Sequence, residues 1–394
     1  MCNRFIVIGL SDSRQVWLTP RVLELIAAGR VFSGGKRHHE IVAEFLPPDS
    51  EWIDITVPLA GVFEQYRAHQ EIVVFASGDP LFYGFAVTLG REFPDAEIEV
   101  FPAFNSLQTL AHKMLLPYAD MRCISLTGRP WDAFDAALIG GERLMGVLTD
   151  RVKTPAAIAS RMLEYGYGNY RITVGEALGN EGSERIRTLS LQEAAASDFA
   201  TPNCLILERT WPRPRPFGIP ESEFSLLDGR VNMITKAPIR LLALRELLLQ
   251  GRSSFWDIGF CTGSVSIEAR LQFPHLKVTS FEVRQQCEAI LAENARRFGA
   301  PGIRAVMGDF MQAPLEGIPA PDAVFIGGHG GQLPTMLARI AELLQPGGAI
   351  VFNSVSEASC AQFIEGAAAC GLAITSRHRI ALDDFNPIEI LRAE

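Results

Sequence analysis

The sequence has few of the features that mark a metal-binding or disulfide-linked protein. Its seven cysteines include no pair with Cys-x-x-Cys spacing, and its seven histidines form no His-x-x-x-His pattern. An odd number of scattered cysteines in a chain of 394 residues argues against a disulfide scaffold or a zinc ribbon and is typical of a reducing cytoplasm. We therefore expect a cytoplasmic protein that needs no metal. The histidine pair His38-His39 is interpreted as a solvated turn.

The sequence also lacks a membrane segment and an excess of basic charge. No apolar run approaches the ~18–20 residues that cross a bilayer, and the apolar stretch that follows Arg4 is interrupted at Asp12 and Arg14. That stretch predicts a buried strand rather than a signal peptide. The net charge of -9 argues against a nucleic-acid partner, although local Arg and Lys side chains can still hold an anionic small molecule. We expect neither a membrane nor a nucleic acid as partner.

Length and proline content divide the chain. A chain of 394 residues is long for a single core, and roughly two or three domains are expected. Four prolines between Trp211 and Pro220 exclude a helix or a central strand there and predict an extended linker. We therefore predict one domain over residues 1–210, a proline-rich linker over 211–220 and a second domain over 221–394.

Apolar runs alternate with helical patterns on both sides of this linker, which predicts α/β layers. Before the linker we predict strands at residues 4–9, 72–76, 98–101, 123–126, 144–148, 172–174 and 204–207, with helices at 21–28, 82–92, 106–113, 132–137 and 154–165. After it we predict strands at 255–258, 277–283, 304–307, 323–326 and 349–353, helices at 238–249, 265–273, 286–298, 333–344 and 358–370, and two terminal strands.

From Asp257, a buried strand leads through a glycine turn into a helix, which points free backbone N–H groups and the positive end of a helix dipole at a bound ligand. A dinucleotide fingerprint, G-x-G-x-x-G, would need glycine at Cys261 and Ser264. The methyltransferase pattern, acidic-x-G-x-G-x-G, is matched by Asp257, Gly259 and Gly263. It departs at Cys261, whose Cβ is expected to displace the turn slightly. The turn favours S-adenosylmethionine over a dinucleotide, with an ordinary strand-to-helix turn as the alternative.

Three further residues stand where an adenosyl ligand needs them. Glu282 ends the next strand, 23 residues beyond Gly259, where a carboxylate can accept from both ribose hydroxyls. Asp309 follows the third strand and can accept from the adenine amino group, and Gly327 ends the fourth, where a side chain would crowd the ligand. All lie at the carboxyl ends of parallel strands, where open α/β sheets bind ligands; a helix cap or a solvated charge is the alternative for each acid. The predicted adenosyl-binding residues are Asp257, Gly259, Thr262, Gly263, Ser264, Glu282, Asp309 and Gly327.

Five motifs of the second half follow one another in a specific order: I-T-K-x-x-x-R (234–240), W-D-I-G (256–259), T-G-S-V-S-I-E (262–268), I-G-G-x-G-G (326–331) and N-x-V (353–355). In this order they resemble the decarboxylating C15-methyltransferases of corrin biosynthesis, over about residues 230–394. The resemblance implies a reaction site with Lys236, His329 and Asn353, of which His329 stands where a small residue is usual. Lys236 and Arg240 would pair with substrate carboxylates, unless they are solvated charges. His329 and Asn353 would orient the macrocycle or move a proton, unless their roles are structural.

The first half contains S-G-D-P-L-F-Y-G (77–84) directly after a predicted strand. Alone, this stretch indicates a turn whose backbone groups can hold a polar ligand. Together with P-A-F-N-S (102–106), L-T-D (148–150), T-P-A-A-I-A (154–159) and V-G-E-x-L-G (174–179), it resembles the tetrapyrrole (class III) methyltransferases, in particular the C5-methylating corrin enzymes. The resemblance covers residues 1–210 and implies cofactor contacts from Gly78, Asp79, Leu81 and Ser106. It departs at the first loop, where G-L-S-D-S-R (9–14) replaces the usual G-x-G-P-G, and at Asn105, where Ser is usual.

The two resemblances together imply an α/β protein with an N-terminal tetrapyrrole (class III) methyltransferase fold and a C-terminal class I Rossmann-like methyltransferase domain. The implied reaction is two methyl transfers from S-adenosylmethionine to a cobalt-free precorrin, at C5 and C15, with loss of CO₂ from the C12 acetate chain. Besides the tetrapyrrole substrate, the implied partner is a further copy of the chain, because both families usually self-associate. The alternatives are an RNA or protein methyltransferase with an N-terminal recognition module, disfavoured by the acidic charge, and a nicotinamide-dependent oxidoreductase, disfavoured by the missing glycines.

Overall fold

The computed structural model describes residues 4–11, 13, 16–382 and 386–394. Cys2, and Asp12 and Arg14 of the first loop, lie outside the described residues. The chain divides into two compact units. In their described parts, the first comprises Met1–Arg129, Arg143–Ser160 and Tyr170–Thr210, and the second comprises Pro130–Glu142, Arg161–Asn169 and Trp211–Glu394.

Short strands and helices alternate along the chain before the linker. The strands are Arg4–Leu10 (β1), Val31–Gly34 (β2), Glu51–Asp54 (β3), Glu71–Ser77 (β4), Glu97–Phe101 (β5), Arg122–Ser125 (β6), Leu144–Leu148 (β7), Tyr170–Glu176 (β8), Arg185–Ser190 (β9) and Asn203–Arg209 (β10). The helices are Pro20–Ala28 (α1), Lys36–Val42 (α2), Ala60–Arg67 (α3), Phe85–Glu92 (α4), Ser106–Lys113 (α5), Asp132–Gly140 (α6), Pro155–Glu164 (α7) and Leu191–Ala195 (α8).

These strands form two sheets within the described residues. The first sheet has the order β3-β2-β4-β1-β5, and all of its strand pairs are parallel. The central strands β1 and β4 are apolar on both faces because each is covered on both sides, as parallel sheets require. The second sheet has the order β6-β7-β10-β8-β9 and is antiparallel except for the pair β6–β7.

The sequence-based expectations missed several strands and helices of these sheets. The strands β2, β3 and β9 and the helices α2, α3 and α8 were not predicted. The expectation of a solvated turn at His38-His39 is wrong, because both residues belong to α2. The His39 ring stacks on Trp52 at a centroid distance of 4.0 Å, and His38 Nε2 lies 3.0 Å from Ser77 Oγ. The pair is therefore part of the packing of the first sheet.

The chain after the linker contains one seven-stranded sheet in its described part, with the order β13-β12-β11-β14-β15-β17-β16. The first five of these strands are parallel, and β17 is antiparallel to both of its neighbours. No helix in the described ranges is long and apolar enough to cross a membrane. The elements are Ala237–Glu246 (α9), Ser254–Ile258 (β11), Ser264–Gln272 (α10), Lys277–Glu282 (β12), Gln286–Phe298 (α11), Ile303–Met307 (β13), Ala323–Ile326 (β14), Leu333–Leu343 (α12), Ala349–Ser354 (β15), Glu357–Ala369 (α13), Ile374–Ile380 (β16) and Ile388–Ala393 (β17).

A buried ion pair joins two of the sequence motifs of this sheet domain. Arg240 on α9 and Glu268 on α10 are both inaccessible to solvent, and Arg240 Nε lies 3.3 Å from Glu268 Oε2. The Glu268 carboxylate also accepts from the backbone N–H groups of Gly218 and Ile219, at 2.7 and 3.1 Å. The end of the proline-rich segment is thus anchored to α10. Arg240 is not available to a substrate, so the expectation that it pairs with substrate carboxylates is wrong.

Replacing Glu268 by Ala is expected to lower the free energy of unfolding by ~3–5 kcal/mol, because the buried Arg240 charge would lose its partner. Denaturant-induced unfolding of the full chain measures this loss. Glu293→Ala is the matched control, since the ion pair of Glu293 with Arg297 is exposed and such pairs contribute ~0–1 kcal/mol. Equal losses in the two variants would contradict the anchoring role of Glu268.

Candidate functional site

The glycine turn after β11 leaves no room for side chains. Gly259 has φ +80°, and a Cβ on it would lie 2.7 Å from the backbone nitrogen of Gly328 in the loop after β14. Gly263 has φ +76° and precedes α10, where a Cβ would overlap Leu291. Both positions therefore need glycine, and the loops after two neighbouring strands come together as bare backbone.

Cys261 occupies the third position of this turn in the left-handed conformation, with φ +49°. That conformation favours glycine, but the turn keeps it with cysteine and is closed by a hydrogen bond from Cys261 N to Glu282 Oε2 at 2.9 Å. Burial raises the pKa of the Cys261 thiol, so the side chain is a neutral, apolar part of the wall.

A cavity of about 620 Å³ lies above the turn, and we call it the glycine-turn cavity. Three buried side-chain oxygens on its wall have no hydrogen-bond partner within the described structure: Asp257 Oδ1, Thr262 Oγ1 and Asn353 Oδ1. A buried acceptor without a partner costs free energy, so such atoms are expected where a ligand supplies the donors. The residues around the cavity include Thr235, Lys236, Asp257, Gly259, Phe260, Cys261, Thr262, Ser264, Arg284, Gly327, Gly328, Asn353 and Val355.

Asp257 is the acid at the base of this cavity. Its Oδ2 accepts hydrogen bonds from the backbone and hydroxyl of Ser266, whereas its Oδ1 faces no donor in the described chain. Burial raises the pKa of Asp257 to about 7, against the opposing effect of the Ser266 hydrogen bonds. The carboxyl group is therefore near half-ionisation at neutral pH, and a cationic ligand group would favour its ionised form.

Glu282, at the end of β12, is buried and already satisfied. Its two oxygens accept from the backbone nitrogens of Cys261, Val283 and Arg284 and from Nε and Nη2 of the Arg284 side chain, at 2.6–3.1 Å. Burial alone would raise the pKa of Glu282, but Arg284 and the backbone donors hold it below its ordinary value. Glu282 is thus ionised and covered by the Arg284 side chain. Arg284 lines the cavity, whereas Glu282 does not.

The remaining predicted residues of the second half differ in their position. Lys236 lines the cavity, and its Nζ donates to Val231 O at 2.8 Å. Asp309 caps the turn after β13, where its Oδ1 accepts from the nitrogen of Met311 at 2.9 Å. His329 Nδ1 accepts from Gly331 N at 3.2 Å, and its ring lies edge-on to Phe352. Neither Asp309 nor His329 is among the residues that line the cavity in the described structure, and their roles remain predictions.

A second cavity, of about 690 Å³, lies in the first unit beside Gly78, and we call it the Gly78 cavity. Gly78 has φ +61°, and a Cβ on it would lie 2.8 Å from Asn105 Cα. Its nitrogen donates to Leu10 O at 2.6 Å, and its carbonyl accepts from Ala103 N at 3.2 Å. The ends of β1, β4 and β5 are thus held together by backbone groups around one glycine.

Ser106 lines the Gly78 cavity at the first position of α5. Asn105 caps that helix, since its Oδ1 accepts from Gln108 N at 3.0 Å while Gln108 Oε1 accepts from Asn105 N at 3.1 Å. Asn105 therefore fills a capping position, which explains why a residue other than Ser is accommodated there. The N-terminal end of α5 faces a cavity, as expected for a site that holds a polar or anionic group.

Asp79 and Leu81 lie on the outer side of the same loop. Asp79 Oδ1 accepts from Leu81 N at 2.9 Å, which closes a turn, and the Leu81 side chain is exposed. Neither is among the described residues that line the Gly78 cavity. Phe104, Thr149, Thr235 and Val355 also line the cavities; they belong to the sequence motifs but were not predicted as site residues. Sequence reasoning missed Arg37 and Asn203 around Gly78, and Phe260 and Arg284 around the glycine turn.

The comparisons with known proteins match both halves of the chain. The family described as tetrapyrrole (corrin/porphyrin) methylases matches residues 4–195, and the family described as precorrin methyltransferase domain matches residues 228–392. The chain is therefore an α/β methyltransferase with an N-terminal tetrapyrrole (class III) methyltransferase fold and a C-terminal class I Rossmann-like domain.

Three relatives show how the halves are combined. The chain is 32% identical over 353 residues to a precorrin-6Y C(5,15)-methyltransferase (decarboxylating) from Sinorhizobium, covering 89% of this chain and 84% of the relative. Two Salmonella typhimurium proteins match separate halves. A cobalt-precorrin-7 C(5)-methyltransferase is 28% identical over 204 residues, covering 51% of this chain and 98% of the relative. A cobalt-precorrin-6B C(15)-methyltransferase (decarboxylating) is 40% identical over 129 residues, covering 33% and 66%.

The chain belongs to the family of precorrin-6Y C(5,15)-methyltransferases (decarboxylating). This membership confirms the resemblances drawn from the motifs of both halves and supports the precorrin methyltransferase over the RNA or protein methyltransferase alternative.

The raised pKa of Asp257 predicts a specific pH dependence of stability. The folded chain keeps its proton up to about pH 7, whereas the unfolded chain loses it near its ordinary pKa of 3.8. This stabilisation is fully present below the unfolded value and is lost as the pH rises towards 7. Relative to Asp257→Asn, the wild-type chain is expected to lose about 3 kcal/mol of stability between about pH 5 and pH 8.

Unfolding by denaturant at the two pH values measures this difference. Asp49→Asn, at an exposed position, is the control and should track the wild type at both pH values. A stability difference between wild type and Asp257→Asn that does not change with pH would show that Asp257 is ionised throughout.

Proposed function

We propose that this chain methylates precorrin-6B (precorrin-6Y) at C5 and C15 with S-adenosylmethionine and removes the carboxyl group of the C12 acetate chain as CO₂, giving precorrin-8X. We assign C5 methylation to residues 1–210, and C15 methylation with decarboxylation to residues 221–394, joined by the segment 211–220. Family membership supports the reaction. The observation that carries the cofactor assignment is the convergence of Asp257 Oδ1, Thr262 Oγ1 and Asn353 Oδ1 on one cavity.

These oxygens fit the polar groups of S-adenosylmethionine. Its ammonium group can donate hydrogen bonds to these buried oxygens, which have no other donor in the described structure. Its positively charged sulfonium favours the ionised form of Asp257. Gly259 and Gly327 line the cavity at the strand ends, where open α/β sheets bind nucleosides. When bound, S-adenosylmethionine supplies an electrophilic methyl group. The residues of the chain then have to position it against a ring carbon, which contributes to the rate through proximity and orientation.

The substrate is a large, flat polyanion, and both cavities offer suitable walls. Lys236 on the glycine-turn cavity can pair with a substrate carboxylate. Asn353 on the same wall can orient the macrocycle with its amide. Around the Gly78 cavity, Trp17 and Phe104 present exposed rings that suit a flat conjugated ligand. Decarboxylation breaks the carbon–carbon bond to the carboxyl group. The electron pair is taken up by the conjugated macrocycle, and a proton from solvent then replaces CO₂ on the side-chain carbon, so no nucleophilic side chain is required.

Incubation of the full chain with precorrin-6B and S-adenosylmethionine is expected to add two methyl groups and remove one CO₂, as measured by mass spectrometry. Gly259→Ala should abolish decarboxylation and C15 methylation, because its Cβ meets the Gly328 backbone. Gly78→Ala should abolish C5 methylation while decarboxylation continues.

Gly61→Ala and Gly251→Ala serve as controls, one in each unit, because a Cβ at either position meets open space. Both should form the complete product. Formation of the complete product by Gly259→Ala, or loss of decarboxylation in Gly78→Ala with Gly259→Ala active, would contradict the assignment of the reactions to the two halves.

A further inference from the structure

Arg284 stands between the glycine-turn cavity and the carboxylate predicted to bind the ribose. Glu282 is 3% exposed and does not line the cavity in the described structure, whereas Arg284 does. The Arg284 guanidinium holds Glu282 in a two-pronged contact, with Nε 2.9 Å from Oε1 and Nη2 2.6 Å from Oε2. A ligand in the cavity therefore meets Arg284 before it reaches Glu282.

Glu282 has no acceptor capacity left for ribose hydroxyls while this contact persists. A carboxylate offers about four lone-pair sites, and within the described chain Glu282 already accepts five hydrogen bonds. Three of these come from backbone nitrogens of Cys261, Val283 and Arg284, which the turn and the strand end fix in place. The other two come from the Arg284 side chain, which is about one-third exposed and can move.

We propose that Arg284 is a positioning residue that couples cofactor binding to substrate binding: a ribose hydroxyl displaces its guanidinium from Glu282, and the freed guanidinium then binds a carboxylate of the tetrapyrrole. The inference rests on the proposed function. The role in substrate binding follows from the charge of Arg284. A guanidinium displaced from Glu282 to the wall of the cavity needs a new anion, and a polycarboxylate substrate supplies one. Lys236, on the same cavity, adds a second cation for the same ligand.

This coupling predicts that the two ligands tighten each other's binding by the same factor, as linkage requires. The probes are S-adenosylhomocysteine, measured by calorimetry, and uroporphyrin, a stable polycarboxylate tetrapyrrole measured by its fluorescence. In the wild-type full chain, saturating S-adenosylhomocysteine should tighten uroporphyrin binding by ~5-fold or more. In Arg284→Ala this factor should fall to about one, while S-adenosylhomocysteine alone should bind more tightly, because no ion pair has to be broken.

Arg284→Lys tests the geometry of the contact, because a lysine cannot form the two-pronged pair and should retain an intermediate coupling. Arg245→Ala is the matched control, since its ion pair with Glu246 is on an exposed side chain away from the cavity, and it should keep the wild-type factor. Any ligand binding in the first unit is common to all these variants and cancels in the comparison.

The outcomes separate this inference from the proposed function. Binding of a single equivalent of S-adenosylhomocysteine by the wild type, with none lost in Gly259→Ala, would overturn both. Two equivalents with an unchanged coupling factor in Arg284→Ala and Arg284→Lys would overturn the role of Arg284 alone. If Arg284 had only a structural role, Arg284→Ala would lower the stability of the chain or its affinity for both ligands. The factor by which S-adenosylhomocysteine tightens uroporphyrin binding would then stay at the wild-type value.

Discussion

The close approach of two backbone loops is the constraint on which the candidate site of the second unit depends. The turn at Gly259 and the loop at Gly328 lie so near each other that a single Cβ would not fit between them. This contact forms at the carboxyl ends of β11 and β14, where the strands of a parallel sheet leave a crevice. It places Asp257, Thr262 and Asn353 around one cavity with buried oxygens that have no partner in the described chain.

In the first unit, strand ends also approach one another closely at glycine residues. A Cβ on Gly9 would lie 1.9 Å from the carbonyl oxygen of Gly78, and one on Gly78 would meet the backbone of Asn105. The ends of three strands therefore converge through glycine, and the capped start of α5 closes the arrangement. In both units, glycine backbone that cannot accept a side chain lies at the cavity. For this reason the short glycine motifs of the sequence predicted where the two cavities lie.

The sequence predicted the regular parts of the fold well, for physical reasons. The helix Gln286–Phe298 and the strand Ala323–Ile326 were predicted with their bounds, because long amphipathic and continuous apolar patterns are strong signals. The strands β2 (VFSG) and β3 (EWID) were missed, since each contains only two apolar residues and lacks the continuous apolar run of Ala323–Ile326. The strands and turns that form the site were predicted from the sequence, but the partners and the burial of its charged side chains were predicted less well. Arg240 looked like a substrate ligand, yet its partner Glu268 is 28 residues away in sequence, and their burial is visible only in three dimensions.

A crystal structure of the full chain with S-adenosylhomocysteine would show whether the ligand occupies the glycine-turn cavity. We expect the ligand's ammonium group within hydrogen-bond distance of Asp257 Oδ1, with the nucleoside over the turn at Gly259. A ligand bound elsewhere, with the Cys261 thiol filling the space above the turn and Asp257 Oδ1 still without a donor, would contradict this expectation.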